Sequence, residues 1–121
     1  MTTKNNQTLP HIAAFVQVVD GEQTLLPMAL HDLQHQRDVD LEILVLDRTT
    51  DGGLEAEGAT IVRLGADITV GAAHRAGLNH TRAPVIAWHL LGVRNLPTRM
   101  ALQHAEMMRD DGLAMVTTNL V

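Results

Sequence analysis

The sequence predicts an α/β domain with a mainly parallel sheet and helices on both faces. Three observations predict it. Short apolar runs rich in β-branched residues recur along the chain, segments with helical spacing of apolar residues lie between them, and Gly or Asx residues punctuate the junctions. Apolar strands that alternate with helices fold as parallel pairs joined by right-handed crossovers.

Residues 12–19, IAAFVQVV, form the first strand, which Asp20-Gly21 ends. Residues 23–36 carry Leu26, Leu30 and Leu33 at helical spacing, and Pro27 fits only in the first turn, where its missing N–H is harmless. Residues 41–46, LEILVL, form a second strand closed by Asp47, and DRTTDGG makes a turn. Residues 54–58 are too few for a crossover helix. TIVRL at 60–64 is the third strand, VGAAHRAGLNH at 70–80 a helix of small residues, and 84–90 the fourth strand. Residues 98–110 form a helix with Met100, Ala101, Ala105 and Met108 on one side, and LAMVTT at 113–118 is a fifth strand. No internal repeat or linker interrupts this order. The expected organisation is a flexible N-terminal tail over residues 1–9 and a single domain over 10–121, a length suited to one core.

Composition narrows the chemistry. The 121 residues contain no Cys, Ser or Tyr, and Lys4 is the only lysine. Thiolate and serine nucleophiles, thiolate zinc sites and a phosphate-loop lysine are therefore excluded. The formal charge is −5, with Phe15 and Trp88 the only aromatic rings besides histidine, a poor match to nucleic acid, which attracts basic surfaces. No apolar run approaches the ~20 residues of a membrane span. The polar start, MTTKNNQTLP, lacks the apolar core of a secretion signal, so the expected location is cytoplasmic. The charge is uneven: residues 68–105 hold Arg75, Arg82, Arg94 and Arg99 and no acid.

The order and spacing of IAAFVQVVDGEQTLLPMALHDLQHQ, DLEILVLDRTTDGG, GAAHRAGLNHTRAPVIAW and LPTRM resemble the start of family 2 glycosyltransferases. The resemblance implies a GT-A fold, a Rossmann-like nucleotide-binding half, over roughly residues 10–120. It implies nucleotide-binding positions at Gln17, Val19 and Asp20, where the family has a Pro-x-Tyr-Asn-Glu type stretch. It implies another at Asp47, matching the acid that contacts the base, and one at Arg75 in the run Ala73, His74, Arg75, Ala76, Gly77. The family's metal-holding Asp-x-Asp is replaced by Leu90, Leu91 and Gly92. The fifth predicted strand falls before the half of the family fold that supplies the acceptor site and catalytic base. No catalytic residue, metal ligand or cofactor is therefore expected, and a divalent Mg or Mn ion is not expected at the Leu-Leu-Gly position. An anion would instead dock on Arg94 with His89 or Arg75.

Competing roles stand beside these. Asp47 suits an Asx-turn, Asp20 and Glu22 suit capping of the helix at 23–36, and Arg94 suits pairing with an acid elsewhere. His31 and His35, four apart on a helix, have the spacing of a metal pair but no evident third ligand, and are expected to face solvent. His104 is expected at the core border, with Trp88 and the methionines at 100, 107, 108 and 115 as core filler. The leading functional expectation is a degenerate glycosyltransferase-like domain that binds a nucleotide, a UDP- or GDP-sugar or a protein partner without autonomous catalysis. The first alternative is an active transferase completed by another chain or by a C-terminal half. The second is a receiver-like domain with Asp47 as phosphoacceptor. Whether the chain is an enzyme is left open. A homodimer or protein partner is expected along an exposed sheet edge.

Overall fold

The computed structural model describes residues 10–109. It contains four strands, all parallel, with helices on both faces. In chain order these are β1 (Ile12–Val19), a 3-10 turn (Gln23–Leu25), α1 (Leu26–Gln34), β2 (Leu41–Arg48), β3 (Thr60–Arg63), α2 (Val70–Leu78), β4 (Val85–Trp88) and α3 (Arg99–Arg109). The fifth strand expected at 113–118 and the tail at 1–9 lie outside the described residues.

The sheet order is β3-β2-β1-β4. Ile12–Val16 are all buried, because strands covered on both faces carry continuous apolar runs. Ile12, Ala14, Val16 and Val18 pack with Ile43, Val45, the α1 residues Leu26, Leu30 and Leu33, and Met100 of α3. Ala13, Phe15, Leu44, Leu46 and Val62 pack on the opposite face with Ala73 of α2. The period of two along each strand thus splits one sheet into two cores.

From β1 the chain winds through α1 to β2 and then β3. It returns across the other face through α2 to β4 on the far side of β1. The strand order therefore reverses between β1 and β4, and ligands of open α/β sheets sit at the carboxyl edge of such a switch point.

Residues 49–59 join β2 to β3 without a helix. Leu54 anchors this crossover in the α1-side core, and the Gln34 amide donates to the Glu57 carbonyl at 2.6 Å. The helix expected at 23–36 begins with the 3-10 turn, and Pro27 sits in the first turn of α1 as anticipated. Helix α2 starts at Thr69, whose hydroxyl accepts from Ala72 N–H. Gly77 lets α2 press on the sheet: a Cβ there would stand 2.7 Å from Phe15 Cε2 and 3.2 Å from Leu46 Cδ2.

Two expectations are corrected. Trp88 is not core: β4 pairs only with β1 among the described residues, and the indole is 45% exposed. Met108 is likewise 55% exposed, because α3 turns only Met100 fully inward. No helix among the described residues is long and apolar enough to cross a membrane.

Candidate functional site

Strand register sets the shape of the carboxyl edge. β4 pairs with Ile12–Phe15 and stops, whereas β1 runs on to Val19 beside β2. His89 N–H donates to the Phe15 carbonyl at 3.0 Å and ends the ladder. Backbone groups of a parallel strand alternate between its two neighbours, so Phe15, Gln17 and Val19 face the β4 side. Beyond Phe15, β1 therefore borders a step in the sheet. Glu22 fills part of it by accepting Val19 N–H at 3.3 Å.

Side chains bind the loops after β1 and β2 together. Asp20 accepts from Thr50 N–H at 3.0 Å and from the Thr50 hydroxyl, and these bonds hold its carboxyl below the usual range. The capping expected of Asp20 and Glu22 is thus replaced by bonds to Thr50 and Val19, because the chain enters α1 through a 3-10 turn with no side-chain cap. The Gln17 side-chain Oε1 accepts from Arg48 at 3.0 Å, while its Nε2 donates to Val70 O and Arg48 reaches Ile68 O at 2.9 Å. Together they tie the start of α2 to the sheet.

Asp47 is completely buried. Its Oδ1 accepts from Thr49 N–H at 2.9 Å and from the Thr49 hydroxyl, an Asx-turn, and its Oδ2 meets Arg63 at 3.2 Å. Arg63 also donates to the carbonyls of Gly52 and Leu54, which shapes the crossover. Arg75 is exposed on α2, on the side opposite Ala73 and Gly77, which face the sheet. Gln17, Val19, Asp20 and Asp47 therefore share the carboxyl edge, and Arg75 stands apart on the outer face of its helix.

The exit of β4 holds a second network. Asn95 is buried, and its side-chain oxygen accepts from Arg99. That bond orients the amide so that its nitrogen donates to His89 Nδ1 at 2.6 Å. His89 Nδ1 must then be the acceptor, which puts the imidazole proton on Nε2. Nε2 is buried and has no partner among the described residues. Burial, then the charge of Arg99, lowers the His89 pKa from 6.5, so the ring is neutral at pH 7. Arg99 meets no carboxylate among the described residues, and burial lowers its own pKa.

Arg94 makes a two-pronged bond to Asp32 of α1, at 2.8 and 3.0 Å, and Asn95 N–H adds a third at 2.9 Å. Asp32 is held far below the usual carboxylate range, chiefly by Arg94, and Arg94 is raised in return. The acid-free block thus finds its counter-ion 62 residues away in sequence. His89, Arg94 and Arg75 do not converge: one is buried at the β4 exit, one faces α1, and one lies on the outside of α2.

A cleft of about 370 Å³ runs beside this pair, lined by His31, Asp32, His35, Arg94 and Asn95–Pro97. His31 and His35 are exposed as expected, with rings stacked at 4.2 Å. His35 Nδ1 is engaged with the His31 carbonyl at 2.7 Å. No cluster of three or more potential metal ligands occurs among the described residues. His104 is half-buried and stacks on His11.

Arg48, Arg63, Asp32 and Asn95 carry much of this chemistry without having been singled out from the sequence, and Arg99 was noted only as part of the acid-free block. The sequence signals were slight: Arg99 lies four residues after Asn95, and Asp32 lies between two leucines of α1's buried side. No family model matches the chain, and no curated protein matches it.

Proposed function

We propose that this chain is a nucleotide- or nucleotide-sugar-binding domain of glycosyltransferase family 2 type that does not transfer a sugar by itself. The observation that supports it most is the β3-β2-β1-β4 order, with a step beside β1 at the carboxyl edge toward which the backbone of Gln17 and Val19 turns. The engagement of Asp20 and Asp47 in internal bonds speaks against a catalytic role for either carboxylate. A carboxylate committed to Thr49 and Arg63 is poorly free to act as a general base.

Calorimetry with UDP, GDP and their sugars, with and without Mn²⁺, tests the reading. Saturable binding independent of the metal is the expected result, accompanied by amide shifts over Gln17–Asp20. Absence of heat with every nucleotide, together with unmoved amides at those positions, overturns it. Binding that appears only with Mn²⁺ points instead to an active transferase.

A protein partner along β4 is the second reading. Leu90 and Leu96, 65% and 76% exposed in the segment that follows β4, favour it, and among the described residues β4 pairs only with β1. Light scattering that gives a monomer at high concentration removes the homodimeric form of this reading.

A further inference from the structure

We infer that Trp88 and His74 form a stacking platform for a planar base at the β1–β4 switch point. The inference rests on the nucleotide-binding reading above and names what that site would grip.

Trp88 ends β4, in register with Phe15 on β1, so both side chains lie on the α2 side of the sheet. One turn into α2, His74 stacks on the indole with ring centroids 4.4 Å apart and planes only 5° from parallel. Phe15 backs His74 from the core at 5.2 Å, tilted by 57°. The result is a layered column that starts in the core and ends on an indole 45% exposed to solvent. His74 covers one part of the indole, so the open surface is what the imidazole leaves free.

Here a buried phenylalanine and a helix hold the ring flat. A ring fixed by two χ angles and a parallel neighbour offers a π-face without loss of side-chain freedom on binding. Any base presents a matching π-face, so stacking alone carries little sequence preference. The overall charge of −5 suits a nucleotide better than a nucleic acid. Arg99 donates to the Trp88 carbonyl at 3.5 Å and so places one cation at the end of β4.

Trp88 is the only tryptophan, so its emission reports on this ring alone. The test titrates the full chain with UMP and GMP, and with ribose 5-phosphate as a control that lacks a base. Affinities are measured in parallel by calorimetry for the wild type, Trp88→Leu and Trp88→Phe. The inference expects saturable quenching by a nucleotide and none by ribose 5-phosphate. It also expects about tenfold weaker binding for Trp88→Leu and less than about threefold for Trp88→Phe, which keeps an aromatic face. The phenylalanine variant and the amide spectrum of each protein separate loss of stacking from loss of fold. Nucleotide binding with unchanged emission and an unchanged affinity in Trp88→Leu overturns the platform and leaves the nucleotide reading standing. If no nucleotide binds the wild type, both fall.

Discussion

Asn95 decides the chemistry of the β4 exit with one amide. Its oxygen is fixed by Arg99, its nitrogen by His89, and its backbone N–H by Asp32. Replacing it by Ala strands the acceptor at His89 Nδ1 and leaves Arg99 without that bond inside a half-buried site. Loss of a buried polar partner costs about 1–3 kcal/mol, so Asn95→Ala is expected to lower stability by that amount in urea unfolding. The imidazole nitrogen shifts should also lose the Nε2–H pattern of the wild type. Little of this was legible from residue types. Sequence reasoning offered Arg94 either as an anion dock with His89 or as the partner of an acid elsewhere; the second role holds, but which acid was not legible, because Asp32 lies 62 residues away and long-range pairing is invisible to local spacing. Asp47 was more readable. An acid that closes an apolar strand before Thr and Gly has few local options, and the Asx-turn at Thr49 is one of them.

At the scale of elements, α2 shows how two effects compete at one position. Gly77, the penultimate residue of α2, forfeits up to about 1 kcal/mol of helix propensity relative to Ala. Filling the position, however, drives a methyl to 2.7 Å and 3.0 Å from two Phe15 ring atoms. The Phe15 ring is fully buried and backed by His74, so it has little room to yield. Overpacking of this kind costs about 1–3 kcal/mol. Gly77→Ala is therefore expected to destabilise the domain despite the better helix former, and a rise in the thermal midpoint would contradict this. The elements themselves were largely legible: every strand and helix expected within the described residues is present, with no end displaced by more than three residues. The failures have physical causes. Trp88 read as core because β4 is apolar, yet among the described residues β4 pairs on one side only and buries less than a strand flanked on both. The expected helix start at residue 23 missed the 3-10 turn, whose geometry depends on how Glu22 folds back on Val19.

For the whole molecule, acid stability follows chiefly from two buried groups, His89 and Asp32, whose shifts act in the same direction. His89 titrates lower in the folded chain than its ordinary 6.5, so the unfolded chain takes up the proton first. Its contribution is complete above about pH 6.5 and fades as pH falls below that value. Asp32, depressed from 3.8, contributes fully above about pH 4 and is lost as pH falls further. Urea midpoints measured from about pH 7 downward should decline in two steps, and His89→Gln should flatten only the first. A midpoint that rises on acidification between about pH 6.5 and 5 would contradict the assignment. The parallel class was readable at this scale because strands and helices alternate, but the order β3-β2-β1-β4 was not, since crossover direction leaves no mark on local composition. The step beside β1 also governs how the backbone trades protons with solvent. Amides of Ala14, Val16 and Val18 point toward β2 along a full ladder and should exchange with deuterium only when the entire domain opens. The Gln17 amide, past the end of β4, should exchange far sooner through local breathing, giving a tooth-like profile of fast and slow sites along a single strand.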